Sequence, residues 1–142
     1  MPNKQRDAGL RWERQVVKEL GGKRQPSSGA FGTIIGDASL TGDVIVPIKW
    51  LSRPLHIECK YGYGGSKSMS VKREWLQKVR KEADNCRRYP ALAIKFRDAT
   101  SDPESAKVIC FNFDTWKQIL KEFEYIYLEY LAMLKEQYDE RD

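Results

Sequence analysis

The chain has 142 residues, of which 41% are hydrophobic and 32% are charged, as expected for one globular domain that folds without disulfides. No apolar run approaches the roughly 20 residues of a membrane span, and the polar N-terminus lacks a signal-peptide core, so the sequence predicts a cytoplasmic protein with no membrane partner. A single histidine, His56, and three widely spaced cysteines argue against multi-histidine metal sites, thiolate zinc sites and disulfide frameworks.

The net charge of +5 is unevenly distributed along the chain. Residues 111–142 carry a balance of −4, whereas the first 110 residues carry +9. A basic body with an acidic C-terminal segment indicates a polyanionic partner on one side of the molecule. A basic protein without such a partner would fit the charge equally well.

The first predicted element is an amphipathic helix over residues 6–20, which the Gly21-Gly22 pair ends. Its apolar stripe consists of four aliphatic residues, namely Leu10, Val16, Val17 and Leu20. At about 100° per residue, Glu13 falls near the middle of this stripe. A carboxylate in that position needs a cation, a metal or a strong hydrogen-bond donor.

A segment rich in Gly and Ser follows, over residues 23–42, and is predicted to be a loop with at most a short strand at its start. Strands are predicted at 43–47 and 55–61, with Pro47 and Pro54 marking their limits.

The next predicted helix covers residues 71–88, with Ser70 as its N-cap, and is followed by strands at 90–98 and 106–114. Asp114 is then predicted to cap a C-terminal helix that ends at about residue 138.

Aromatic and aliphatic residues recur along this last helix with heptad spacing: Trp116, Leu120, Phe123, Tyr127, Tyr130 and Leu134. We favour packing of this stripe on the chain's own sheet over packing on a partner helix. The order of elements predicts a single α/β domain, residues 1–142, with a central mixed sheet, flanking helices and a long C-terminal helix.

The two strands around residue 50 carry charges where a sheet usually carries Val or Ile. If they form a hairpin symmetric about the Trp50–Leu51 bond, Asp43 lies opposite Glu58, with Cβ atoms about 4.5–5.5 Å apart. Lys60 follows Glu58 by two residues and therefore points to the same face. That face would gather two carboxylates and an ammonium group.

Two facing carboxylates repel each other, and a hard divalent cation reverses the sign of that interaction. Magnesium often uses only one or two carboxylates, so Asp43 and Glu58 are the predicted ligands, with the backbone carbonyl of Cys59 as third candidate and Mn²⁺ as a substitute ion. Lys60 would orient or deprotonate the attacking water and stabilise transition-state charge. The alternative is a structural salt bridge from Lys60, but core-facing Glu13 favours the catalytic interpretation.

These residues resemble the PD-(D/E)xK nuclease signature, with Gly in place of the Pro before Asp43. A second Gly-Asp pair, at Gly36-Asp37, has no strand after it and is the weaker candidate. The wider order of motifs resembles archaeal-type Holliday junction resolvases, including their phage-borne relatives, over about residues 7–115. The motifs are Glu13 on a helix, SSGAFG at 27–32, GDV at 42–44, HIECKY at 56–61 and PALAIKFRD at 90–98.

The resemblance implies a restriction-endonuclease-like fold and a homodimeric, magnesium-dependent endonuclease that makes paired nicks in four-way DNA junctions, with no small-molecule cofactor. It implies the host cytoplasm as location if the chain is phage-encoded. Glu13 would be the helix carboxylate that reaches the metal through water, and Ser28 matches a serine near the active site. The implied catalytic residues are Glu13, Ser28, Asp43, Glu58 and Lys60.

Basic residues cluster after the second of these strands, since residues 60–90 hold nine Lys/Arg and three acidic residues. Phosphate contacts, which position DNA without reading its sequence, are predicted for Lys23, Arg24, Ser27, Lys67, Lys72, Arg73, Arg80, Arg87 and Arg88. A solvated helix face and an ordinary turn at the serines are the structural alternatives.

Two other functions stay open from the sequence. One is a restriction-like or repair nuclease that acts on duplex DNA, because the spacing from Asp43 to Glu58 is longer than in a compact resolvase and a helix follows residue 115. The other is a non-catalytic DNA-binding protein on a nuclease-like scaffold, against which the intact set of Asp43, Glu58 and Lys60 argues.

Overall fold

A computed structural model describes residues 4–25, 43–62, 68–97 and 102–141 of the protein. It confirms the predicted order of helices and strands. The elements are α1 (Lys4–Leu20), β1 (Lys23–Arg24), β2 (Val44–Val46), β3 (Leu55–Tyr61), α2 (Arg73–Asn85), β4 (Tyr89–Lys95), β5 (Lys107–Cys110) and α3 (Phe113–Asp139).

The five strands form one mixed sheet in the order β1-β2-β3-β4-β5. Strands β3 and β4 are parallel and are joined by α2, which supplies the crossover that parallel neighbours require. The other neighbouring pairs are antiparallel. This is the restriction-endonuclease-like α/β fold that the sequence predicts.

The predicted register of the β2–β3 hairpin is confirmed at the pairs in its ladder. Val44 lies opposite Ile57 and Val46 lies opposite Leu55, as expected for symmetry about residues 50–51. Because successive side chains of a strand alternate between faces, this register fixes which face of β3 each functional residue occupies.

Two hydrophobic clusters hold helices on opposite faces of the sheet. On one face α1 packs through Trp12 on a cluster that includes Ile57 and Ala93, and the Trp12 indole N–H donates to the Ala93 carbonyl at 3.0 Å. On the other face α2 packs Val79 against Leu92 of β4. The sheet is therefore covered on both sides at its centre.

Both predicted helix caps are wrong. Helix α2 begins at Arg73, and Ser70 lies two residues before its N-cap residue, Lys72, which makes no side-chain cap bond. Helix α3 begins one residue before Asp114, so its cap is Asn112, whose side chain accepts the Thr115 N–H at 2.8 Å. Asp114 instead lies in the first turn, where a negative charge favours the helix dipole.

Helix α2 also ends three residues earlier than predicted. Arg87 adopts a left-handed conformation with φ 54°, and the Arg88 N–H donates back to the Ala83 carbonyl at 2.9 Å, which closes the helix end.

The expectation that the heptad stripe of α3 packs on the chain's own sheet is wrong for most of the helix. Only Thr115 and Ile119 are buried on it, while Phe123 and Tyr130 are more than half exposed. The reason is length, because a helix of 27 residues spans about 40 Å, whereas a strand of seven residues spans about 23 Å. Among the described helices, none is long and apolar enough to span a bilayer.

Candidate active site

Asp43 lies at the point where the ladder between β2 and β3 stops. Its backbone N–H donates to the Ile57 carbonyl at 3.1 Å, and its own carbonyl accepts the Gln25 N–H at 2.8 Å. Its side chain turns towards β3, where Oδ2 accepts the Cys59 N–H at 2.7 Å. The predicted pairing of Asp43 with Glu58 in the ladder is therefore wrong. The Asp43 carboxylate, and not a backbone carbonyl, accepts the Cys59 N–H at this point.

Glu58 and Lys60 lie on the same face of β3, and they are in contact. Lys60 Nζ is 3.4 Å from Glu58 Oε1, and the same ammonium group lies 4.7 Å from the ring centre of Trp75 on α2. Glu58 is only 8% exposed. The salt bridge from Lys60, which the sequence leaves open as an alternative to a catalytic role, is therefore present. The same contact holds the ammonium group beside the carboxylate of Glu58.

Glu13 approaches from the opposite side, on α1. It is half-buried and lies 3.6 Å from the guanidinium Nε of Arg24 on β1. Burial raises its pKa, Arg24 opposes that rise, and the charge of Glu58 adds to it. The cation that a core-facing carboxylate needs is thus supplied by Arg24.

Electrostatic coupling joins all of these groups into one cluster. Burial, and next the negative charge of Glu58, raise the pKa of Asp43 from 3.8 to about 7, with a further contribution from Glu13. The Cys59 N–H and the Lys60 ammonium oppose this rise. Glu13 of α1 and Glu58 of β3 are therefore both within electrostatic reach of Asp43, which precedes β2, as is the ammonium group of Lys60.

Lys78 of α2 is a member of this cluster that sequence reasoning missed. Its Nζ is 3.6 Å from the Glu58 Oε1 atom that Lys60 also contacts, and 3.9 Å from Glu82 Oε1. The side chain is 56% exposed. The parallel crossover implies that α2 covers β3 and β4, but the rotation of the helix about its axis, which selects Lys78, follows only from packing.

His56 has a structural environment. It is fully buried, its Nε2 lies 3.4 Å from Glu82 Oε2, and its Nδ1 lies 3.3 Å from Arg88 Nη1. A side chain with no exposed surface cannot exchange protons with a substrate in solvent, so His56 packs and hydrogen-bonds within the domain.

The predicted phosphate contacts separate into three groups. Arg24 and Arg88 are half-buried beside Glu13 and His56. Five are exposed to solvent, namely Lys23, Lys72, Arg73, Arg80 and Arg87. Ser27, Ser28 and Lys67 lie outside the described residues, and the roles predicted for them stay predictions.

The chemistry of the donor set fits a hard divalent cation. Asp43 and Glu58 offer carboxylate oxygens, the ligands that Mg²⁺ prefers. Burial, and next the charge of Glu58, raise the pKa of Asp43, and a bound cation would favour its ionised form. Within the described ranges no group of three or more His, Cys, Asp and Glu side chains is arranged to hold a metal. Magnesium can be held by only one or two protein carboxylates, with water in its other positions. The Cys59 thiol is not a candidate metal ligand, since it packs against the core and burial raises its pKa.

Comparison with protein families gives one match, to the family described as "Phage putative PDDEXK endonuclease", over residues 4–115. The matched segment begins with α1 and ends in the first turn of α3. No curated protein and no solved structure matches the chain.

Replacing Asp43 by Asn should stabilise the metal-free protein at high pH. The pKa of Asp43 in the folded protein, about 7, lies above its ordinary value of 3.8, so the folded state favours the protonated carboxyl group. The stability that this protonation contributes is complete below about pH 4 and is lost as the pH rises through 7. Asn keeps an oxygen for the Cys59 N–H but cannot ionise. In EDTA, thermal unfolding should give Asp43→Asn a higher Tm than wild type at about pH 8 and an equal one at about pH 4.

Adding Mn²⁺ should reverse that order by raising the Tm of wild type but not of Asp43→Asn, because a ligand of the native state stabilises it. Asp102→Asn, at an exposed aspartate in the β4–β5 connection, is the matched control and should behave as wild type. An Asp43→Asn protein that is less stable than wild type at both pH values would contradict the described charge cluster.

Proposed function

The chain belongs to this phage PDDEXK family of endonucleases, and from that premise we propose that it is a metal-dependent endodeoxyribonuclease, specifically a Holliday junction resolvase. The nuclease proposal is carried by the contact of Lys60 with Glu58 at 3.4 Å, beside Asp43, whose pKa the charges of Glu58 and Glu13 help to raise. An electrostatically coupled group of this kind, close to the surface of a basic domain, is suited to phosphodiester hydrolysis.

In the proposed reaction, water attacks the scissile phosphorus and the bond to one bridging oxygen breaks. Asp43 and Glu58 would hold Mg²⁺, with the Cys59 carbonyl as third ligand and Glu13 acting through water. When bound, the ion supplies Lewis-acid polarisation of the phosphate and neutralises charge.

Lys60 would assist the attack from its place beside Glu58. The contact with Glu58 and the ring of Trp75 hold its ammonium group over the carboxylates. From there it can orient the attacking water and donate a hydrogen bond to the negative charge that develops on the phosphate oxygens.

Lys78 would complete the positive side of the site. It shares an oxygen of Glu58 with Lys60, and its exposed stem lets it turn from Glu58 to a phosphate of bound DNA once the metal is held there. Arg73 and Arg80 on the same helix, and Lys72 at its N-cap, are exposed and would add phosphate contacts along the DNA backbone.

The proposed substrate is the four-way junction, cut by a homodimer whose two sites make paired nicks. This choice is supported by the order of motifs shared with junction resolvases and by the basic body of the chain. Phosphate contacts read charge and shape and carry no base sequence, as recognition of a branch point requires.

Removing any one of three central groups should abolish cleavage and spare binding. Asp43→Asn, Glu58→Gln and Lys60→Ala should each lower the rate on a labelled junction by roughly 10²–10⁴-fold, because each removes a ligand or a charge used in the transition state. Junction affinity in Ca²⁺, measured by fluorescence anisotropy, should stay near wild type. Glu104→Gln, at an exposed turn, serves as control. Wild-type cleavage by any of the three variants would refute the assignment.

Branched and linear substrates of equal sequence should be cut differently. With Mg²⁺ the enzyme should nick a four-way junction symmetrically and leave the matched duplex largely intact. Equal cleavage of both would indicate a restriction-like or repair nuclease. Absence of cleavage in both Mg²⁺ and Mn²⁺ would indicate a DNA-binding protein without catalysis.

Lys78 and Lys81 lie on the same helix in different surroundings, and comparing their variants tests whether Lys78 takes part in cleavage. Lys78→Ala should slow junction cleavage by about tenfold, because it removes a charge beside Glu58 but one that is 56% exposed and therefore weaker than a buried catalytic donor. Lys81→Ala removes an exposed lysine of the same helix and should change the rate by less than about twofold. Equal rates for the two variants would exclude Lys78 from the active site.

A further inference from the structure

Helix α3 carries most of the exposed apolar surface of the described structure. Of the seventeen large hydrophobic side chains that are exposed in the described residues, twelve lie on this helix. After Ile126 every described side chain of the helix is exposed except half-buried Leu134. A helix with this much apolar surface is normally covered, because contiguous exposed apolar patches mark interaction sites.

Part of this surface forms a continuous stripe. At about 100° per residue, six apolar residues fall within about a quarter of the helix circumference, and no charged residue between 116 and 134 falls among them. We call them the α3 stripe: Trp116, Leu120, Phe123, Tyr127, Tyr130 and Leu134. Their alternating steps of four and three are typical of helices that pair with other helices.

The chain itself covers only the first part of this helix. Ser52 donates its backbone N–H to Glu122 Oε1 at 2.8 Å, Tyr89 donates its hydroxyl to the same carboxylate, and Trp50 meets Phe123 edge-on with ring centres 5.6 Å apart. These contacts anchor the first half of α3, and they include two residues of the stripe, since Phe123 meets Trp50 and Trp116 stacks on Phe111 with ring centres 5.6 Å apart. Beyond them Tyr127 and Tyr130 are more than half exposed, so the second half of the stripe faces outwards.

We propose that two copies of this chain associate through the α3 stripe to form a homodimer. This deepens the proposed function by naming the surface that joins two active sites, but its evidence is independent of any nuclease activity. All six residues of the stripe lie beyond residue 115, where the family match ends.

The size of the stripe suits a stable dimer. Buried aromatic side chains contribute 150–250 Å² each, so the half-exposed stripe with its apolar neighbours offers roughly 800 Å² per copy. About 800 Å² per partner is the size of a standard specific interface.

Charge favours a second copy over nucleic acid as the occupant. Residues 111–142 carry a balance of −4, which repels a polyanion. The stripe itself holds no charge, and the charges beside it have both signs, as with Lys117, Glu124 and Lys135. Such a surface can be complementary to itself, as a twofold interface requires.

Solution mass in the absence of DNA tests the proposal. By light scattering coupled to gel filtration, the wild-type full chain should have twice the 16.5 kDa mass of one chain. The double variant Tyr127→Glu/Tyr130→Glu should be monomeric with an unchanged circular dichroism spectrum. The control Tyr125→Glu/Leu128→Glu places equal charge on the other side of the same helix and should stay dimeric.

Two further measurements keep the test decisive if the charged variant fails to fold. The Tm of wild type should rise with protein concentration, because association stabilises the native state. The milder variant Leu120→Ala/Tyr130→Ala should weaken dimerisation at least tenfold. A monomeric wild type, a dimeric stripe variant, or equal loss of the dimer in stripe and control variants would overturn the proposal, whatever the outcome of cleavage assays.

Discussion

The hydrogen bond from the Cys59 backbone N–H to the Asp43 carboxylate is the contact on which the candidate active site depends. It ends the β2–β3 ladder by putting a side-chain acceptor where a backbone carbonyl would continue the pairing. The consequence is that a carboxylate is held, mostly buried, within electrostatic reach of Glu58 and Glu13. Negative charge in that setting is costly, and the divalent ion that we propose would offset it.

Helices on both faces of the sheet contribute side chains to this cluster. Helix α1 brings Glu13 from one side, and α2 brings Trp75 and Lys78 from the other, over the face of β3 that carries Glu58 and Lys60. Basic side chains partly neutralise the acids, since Arg24 contacts Glu13 while Lys60 and Lys78 contact Glu58. Family membership agrees with this arrangement, because the matched segment contains every residue of the cluster.

How far the sequence predicts the molecule depends on how local each signal is. The register that places Val44 opposite Ile57 follows from hairpin symmetry and is confirmed, but the departure of Asp43 from that ladder needed the Cys59 hydrogen bond. Lys78 was missed because its place depends on the rotation of α2 over the sheet. The role of Ser28, which the order of motifs implies, stays a prediction because Ser28 lies outside the described residues.

Helix α3 shows why an apolar stripe alone does not identify its partner. The heptad spacing of Trp116 to Leu134 indicates helix packing, yet the same pattern serves a sheet of the same chain and a helix of another copy. The anchor at Glu122 fixes the start of α3 on the sheet, and the helix then extends beyond it. Local pattern predicts the helix, whereas its neighbours are set by the geometry of the whole domain.

The most direct test of the central claim is the position of the ion. In crystals soaked in Mn²⁺, anomalous scattering should give a peak in contact with a carboxylate oxygen of both Asp43 and Glu58, with Lys60 alongside and Glu13 in the surrounding water layer. A peak elsewhere on the molecule, or an ion that touches neither Asp43 nor Glu58, would contradict the account.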